Sequence, residues 1–218
     1  MFQGQVVRSF AGPDSNMRGI YHDGRNLWVM GQGSQLIYLV DPLTGETLKT
    51  WAAPNTTPGV IIGVGERGKE RGFILTNWGG GQTYFFDPVS GQSQFIANIP
   101  TGQPSLPIGG CWLGNNTFCV TGGGAEPNTL AYYSWPDILS VKQVTNINSR
   151  RGMFYDGFSI WTVSIADIDV KQLVPHTLSD VRKAWTLSGT TFAQQSVAFD
   201  GKHMWAAQNN GQLILQIV

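Results

Sequence analysis

Charge is what this chain has least of. Only 13% of its 218 residues are charged, against about a quarter in an ordinary soluble domain, and 14 Lys and Arg balance 14 Asp and Glu for a formal net charge of zero. A neutral chain has no field to draw it onto DNA, RNA or an anionic membrane, so nucleic acid is not expected among its partners. Nor does any apolar run approach the ~18 residues of a membrane-spanning helix, so membrane insertion is not expected. The first ten residues have neither the basic region nor the apolar core of a signal peptide, which points to the cytoplasm or to incorporation in a virion. Cysteine is down to two. Cys111 and Cys119 flank a hairpin turn at Gly114-Asn115-Asn116 and are expected as two buried thiols, because a disulfide across such a pair is geometrically awkward.

Glycine is abundant, 28 residues, and it falls at regular intervals between short β-prone runs. Trp28, Phe73, Phe118, Trp161 and Trp205 each sit in such a run soon after a Gly or Asn turn, at separations of 45, 45, 43 and 44 residues. A period of that length marks a repeat architecture. Each copy reads as four short strands: an opening strand such as Gly19-Ile20-Tyr21, a second such as Leu27-Trp28-Val29, a third such as Leu36 to Val40, and a fourth ending near Trp51. Asp-Gly turns follow the first strand at Asp23-Gly24, Asp156-Gly157 and Asp200-Gly201, where Gly supplies positive φ and Asp bonds its own backbone. The turns Asp41-Pro42-Leu43-Thr44-Gly45 and Asp87-Pro88-Val89-Ser90-Gly91 are near twins, and later copies drift, as at Trp135-Pro136-Asp137.

The fold expected is all-β, a five-bladed β-propeller with four antiparallel strands per blade in a single domain, 1–218. Blades are expected at about 17–54, 58–100, 107–147 and 151–189, with the fifth built from 195–218 plus 4–13. The chain ends after three strands of the fifth copy, while Gln5 to Pro13 matches a fourth strand. The N-terminal strand therefore completes the last blade and closes the ring, removing an exposed edge. The aspartate-glycine, leucine-tryptophan-valine and aspartate-proline-threonine-glycine pattern, clearest at Asp23-Gly24, Leu27-Trp28-Val29, Asp41-Pro42 and Thr44-Gly45, resembles the propeller superfamily that includes NHL, YncE-like and SMP-30-like proteins. The resemblance is one of fold and implies no single activity.

Propeller loops divide between two faces. Loops between blades and between second and third strands share a top face, expected to be neutral and glycine-rich; the other turns form a bottom face that takes the charged hairpin Glu66 to Arg71. First strands line the central channel, and their opening residues are Arg18, Gly59, Ile108, Arg151 and Gln195. No carboxylate is among them, whereas glycoside hydrolysis needs a convergent pair. The top-face acids are Asp14, Glu126, Asp167 and Asp169, too dispersed for a hydrolase. Asp167-Ile168-Asp169 falls short of the roughly 6–8 oxygen ligands of a calcium site. His22 and His203 lack a third ligand for zinc and read as surface residues. No metal or cofactor is expected.

Arg18 and Arg151 occupy equivalent positions, each before Gly and an apolar residue. With Arg150 and Gln195 they are candidates to bind an anion or a partner's carboxylate at the channel mouth; their alternative role is to plug the channel. Trp78, followed by three glycines, is the candidate aromatic contact, either exposed for a partner or sugar, or folded back between blades. Trp28, Trp161 and Trp205 read as packing between blades. The function expected is a non-catalytic binding or structural platform for protein partners, as in a subunit of a larger assembly such as a phage virion or tail. The alternatives are a lectin-like saccharide binder and a propeller enzyme of lactonase or cyclase type.

Overall fold

The computed structural model of the chain describes residues 4–100, 107–122, 130–144, 150–164, 169–174, 181–186, 194–208 and 212–218. Strand β1 (Val6–Ala11) opens the chain. Blade one follows as β2 (Met17–His22), β3 (Leu27–Gly31), β4 (Leu36–Val40) and β5 (Thr47–Ala52). Blade two is β6 (Pro58–Arg67), β7 (Glu70–Asn77), β8 (Gln82–Phe86) and β9 (Ser93–Asn98). Blade three comprises β10 (Pro107–Gly114), β11 (Thr117–Gly122), β12 (Leu130–Ser134) and β13 (Ser140–Val144). Blade four comprises β14 (Arg150–Tyr155), β15 (Ile160–Ser164), β16 (Asp169–Leu173) and β17 (Val181–Thr186). Three strands remain, β18 (Gln194–Phe199), β19 (Met204–Gln208) and β20 (Leu213–Ile217).

Those three form a sheet with the first strand, in the order β1-β20-β19-β18, so the two chain ends share one blade. Val6 faces Ile217 and Phe10 faces Ile214 in register, and Gln5 and Val218 exchange backbone hydrogen bonds at 3.3 and 3.0 Å. The five-bladed propeller and its closure are as the repeat predicts. Because β1 occupies the outer side of β20, the last blade presents the same outermost edge as the others rather than a raw apolar strand.

The apolar side chains do not gather in one core. They form five clusters, one in each gap between neighbouring blades: Trp28, Phe73 and Phe86 between blades one and two, Phe118, Tyr133 and Trp135 with Ile74 between two and three, Cys119 and Met153 between three and four, Trp161 and Met204 between four and five, and Trp205 with Val29 between five and one. Strands three deep in each blade therefore read as apolar on both faces, as Leu27 to Gly31 and Met204 to Gln208 do. Cys111 faces Cys119 directly across the β10–β11 pair, and both are buried free thiols. Burial pushes both thiols above their ordinary range, which makes them inert.

Turn chemistry repeats with the blades. The Asp41 carboxylate accepts the Leu43 N–H at 2.7 Å while Gly45, at φ 78°, donates to the Asp41 carbonyl at 2.8 Å; Asp87, Val89 and Gly91 repeat this arrangement in blade two. Blade three, where the sequence drifts, makes the same turn with different residues. Ile138 takes the left-handed position at φ 54° and donates to the Ser134 carbonyl; Pro136 stands where Leu43 and Val89 donate to an aspartate, and Ser134 Oγ accepts the Leu139 N–H at the end of the turn instead. A β-branched residue is unfavourable at positive φ; here its side chain is buried against blade two's cluster, which holds it.

Candidate functional site

The five innermost strands share an irregularity at one level. Register slips between Met17 and Gly19, Pro58 and Val60, Pro107 and Gly109, Arg150 and Gly152, and Gln194 and Ser196. The residues skipped are Arg18, Gly59, Ile108, Arg151 and Gln195, the five opening residues of the sequence repeat. A bulge bends its strand and re-aims the extra side chain, and bulges cluster at barrel rims and beside functional sites. Here five of them ring the top of the channel. Arg150 lies one position before the bulge, paired in register with Ser164.

Below the bulges, small residues let the strands close in. A Cβ on Gly19 would come within 2.8 Å of the Ile61 nitrogen, one on Gly152 within 2.8 Å of the Val197 nitrogen, and one on Gly109 would land on the Arg151 carbonyl oxygen. Ser196 closes the circle by accepting the Ile20 N–H at 3.1 Å. The channel is thus pinched at this level. Arg18, Gly59, Val60, Trp78, Pro107 and Ile108, from blades one to three, line a narrow recess at this level. Beneath it the channel widens to a cavity of about 150 Å³ lined by residues of all five innermost strands, among them Ile62, Cys111 and Met153, and reaching Tyr21, His22 and Tyr155 at the bottom.

Arg18 is half-buried at the pinch. Its Nε donates to Gln32 Oε1 at 2.7 Å, and the same oxygen accepts from Asn16 Nδ2 at 2.8 Å. The Trp78 ring lies over the guanidinium, 5.1 Å from carbon to ring centroid, a cation–π distance. Trp78 is itself half-buried, and its backbone N–H donates to the Thr57 carbonyl at 2.9 Å. The ring therefore lies at the mouth against Arg18, a contact from blade two to blade one. Burial first, and then the charge of Arg151, lowers the Arg18 pKa from its ordinary value; burial lowers that of Arg151. The structure thus sets Trp78 against Arg18, with Arg151 and Gln195 at the equivalent bulges of blades four and five and Arg150 one position before one of them.

The acids behave differently. Asp14 is buried, and its carboxylate is taken up by backbone: Oδ1 accepts from Asn16 and Gly33 at 2.6 and 3.2 Å, and Oδ2 from Ser34 at 2.8 Å. It clamps the loop that holds Gln32. Glu126 and Asp167 lie outside the described residues. Among the described residues no three His, Cys, Asp or Glu side chains gather as a metal site. His22 and His203 are less superficial than the sequence reading has them. His22 stacks on Trp205 at 6.4 Å and 10° between planes, and its Nδ1 accepts the Gly24 N–H; His203 Nδ1 lies 3.0 Å from Asp200 Oδ2.

No protein-family profile matches the chain. No curated protein matches it in sequence. Solved structures do match in shape. The glutaminyl cyclase of Myxococcus xanthus superposes with a TM-score of 0.73 at 10% identity, covering 98% of this chain and 95% of that one. The likeness is one of fold. A catalytically inactive virginiamycin B lyase from Staphylococcus aureus with quinupristin gives a TM-score of 0.56 at 15% identity, over 96% of this chain and 68% of that one. The PQQ-bound aldose sugar dehydrogenase of Streptomyces coelicolor gives 0.57 at 13% identity, over 97% and 96%. Three different chemistries on one shape assign none of them here.

The rim residues are legible in the repeat but the bulges they sit on are not, although the Arg-Gly pairs at Arg18-Gly19 and Arg151-Gly152 are a usable signal. Also missed are the hydrogen bonds of the blade tryptophans, written in a five-residue spacing between Asp and Trp.

Proposed function

We propose that the protein is a non-catalytic binding platform, a subunit of a larger assembly of the kind found in a phage virion or tail, whose top face recognises an anionic group on a protein partner. The observation that carries this reading is the ring of five bulges with Arg18 and Arg151 on it. Burial, and then the charge of Arg151, lowers the basicity of Arg18, and a carboxylate seated at the rim offsets both the lost hydration and that repulsion. Arg18 is already held by Gln32 and capped by Trp78, so little side-chain freedom is lost on binding. The close approach of the innermost strands narrows the channel beneath the rim, which suits surface contact better than a buried reaction centre.

Immobilised protein should retain a protein from its native context, and Arg18→Glu with Arg151→Glu should release it while the variant unfolds at the parent's temperature. Undiminished capture by the double variant would remove the two arginines from the account, and no capture by the parent would remove the platform.

A second reading is an enzyme of cyclase type, favoured by the match in length and shape to a glutaminyl cyclase. Release of ammonia from a peptide with N-terminal glutamine separates it from the first, because a platform releases none above the uncatalysed rate.

A further inference from the structure

On the bottom face, a groove of about 360 Å³ lies between blades one and two, near the lower limit of roughly 300–1,000 Å³ for ligand sites. Its floor is aromatic: Trp28 and Phe73, 4.4 Å between ring centroids, with Val64 and Pro88 beside them. Its rim is cationic, carrying the exposed side chains of Arg25 and Arg71.

The one carboxylate lining the groove is already occupied. Asp23 Oδ1 accepts the backbone N–H groups of Arg25 and Asn26 at 2.8 and 2.7 Å, and Oδ2 accepts the Trp28 indole at 2.7 Å. Glu66 stands opposite Arg71 in register, yet the ion pair found among the described residues is His203 with Asp200, elsewhere on this face. Neither Arg25 nor Arg71 has a carboxylate within ion-pair distance there. Apolar surface also continues past the groove. Val89, next to Pro88, is 87% exposed, and Leu43, its counterpart on the blade-one turn, is 73% exposed. Large apolar side chains left in water beside an apolar groove mark a contact surface, and one that runs beyond its pocket suits an extended chain better than a compact molecule.

We propose that this groove docks a peptide segment of a protein partner in which an apolar side chain lies next to a carboxylate. The apolar side chain covers Trp28 and Phe73, and the carboxylate meets Arg25 and Arg71, which match it in charge and in planar donor geometry. The proposal rests on the reading of the protein as a platform but uses the opposite face and neither rim arginine, so the two fail separately.

The test is a titration followed by the indole N–H signals in a ¹H–¹⁵N spectrum, using N-acetyl-Phe-Glu-amide and its glutamine counterpart N-acetyl-Phe-Gln-amide. The glutamate peptide should shift the Trp28 indole signal saturably while those of Trp161 and Trp205, at equivalent strand positions of other blades, stay in place and report an intact fold. The glutamine peptide, and the glutamate peptide on Arg25→Ser with Arg71→Ser, should bind about two- to fivefold more weakly, the scale of an exposed ion pair. The proposal is overturned by a Trp28 signal that stays still up to the solubility limit, by equal binding of the two peptides, or by loss of binding in Arg18→Glu with the groove arginines intact.

Discussion

The indole nitrogen of Trp28 donates a 2.7 Å hydrogen bond to Oδ2 of Asp23, five residues earlier and across the turn between the two innermost strands. Asp156 and Trp161 repeat it at 2.6 Å, and Asp200 and Trp205 at 2.9 Å. The other oxygen of each carboxylate accepts two backbone N–H groups of the turn. One aspartate thus closes a hairpin and orients the ring that packs against the next blade. Blades two and three have Phe73 and Phe118 at the tryptophan position, and their turns, at Gly68 and at Asn115-Asn116, have no aspartate. Where the indole N–H is missing, so is its acceptor.

Trp28→Phe should therefore keep the packing and lose the hydrogen bond, at a cost of about 1.5 kcal/mol or more for a bond to a charged acceptor. Asp23→Asn combined with Trp28→Phe should cost less than the sum of the two single changes. Urea unfolding of the four proteins gives the coupling, and strict additivity would show the bond to be energetically idle.

Acid stability should follow two groups on the bottom face. Burial alone would raise the Asp200 pKa, but hydrogen bonds from the His203 and Lys202 N–H groups, the Trp205 indole and the His203 ring outweigh it and bring it down to about 2. The unfolded chain binds this proton at about pH 3.9, so the stabilisation is full above that value and is lost as pH falls towards 2. His22 is also lowered, chiefly by burial against the opposing pull of Asp200 and Asp23. Its contribution is present above the unfolded value of about 6.5 and declines below it. Unfolding free energy measured against pH should fall in two stages, and His22→Gln should remove the upper one.

Close approach of innermost strands should make neighbouring glycines unequal. A Cβ on Gly109 meets the Arg151 backbone oxygen, whereas one on Gly110 comes no closer than 3.1 Å to its neighbours, two of the nearest three atoms belonging to side chains. Gly109→Ala should cost about 3 kcal/mol or more, the upper range for overpacking, and Gly110→Ala much less. Thermal unfolding of the two variants decides it.

Ring closure is equally exposed to test. Phe10 in β1 packs 6.3 Å from Trp205, and Phe10→Ala should cost about 2 kcal/mol, below the usual range because the ring is only half-buried. Removal of residues 1–11 strips β20 of its outer partner and leaves Leu213, Ile214, Leu215 and Ile217 on an open edge strand, so the truncated chain should self-associate. Light scattering should show a larger species; a stable monomer would mean that closure matters little.

Blade number, strand count and closure were legible in the sequence because each rests on local chemistry repeated with a period: Asp-Gly turns, Asp-Pro turns, and apolar runs around Trp28, Trp161 and Trp205. The rim residues were legible for the same reason, since Arg18 and Arg151 hold the same place in the repeat. What was not legible depends on which atoms meet across the fold. That Trp78 turns back onto Arg18 follows from a glycine-flanked loop meeting a bulge in another strand. That Asp14 spends its carboxylate on Gly33 and Ser34, and that Arg25 and Arg71 share one groove, follow from contacts between segments some twenty to forty-six residues apart. Ile138 at positive φ defied its own turn propensity because burial against blade two outweighs local strain.

The rim itself is tested most directly by titrating N-acetylglycine, a peptide carboxylate, against the uncharged N-acetylglycinamide, while following the Arg18 side-chain N–H signal. The account predicts a saturable shift with the carboxylate alone, weakened in Arg151→Gln and sensitive to salt. No shift with the carboxylate, or the same shift with the amide, would contradict it.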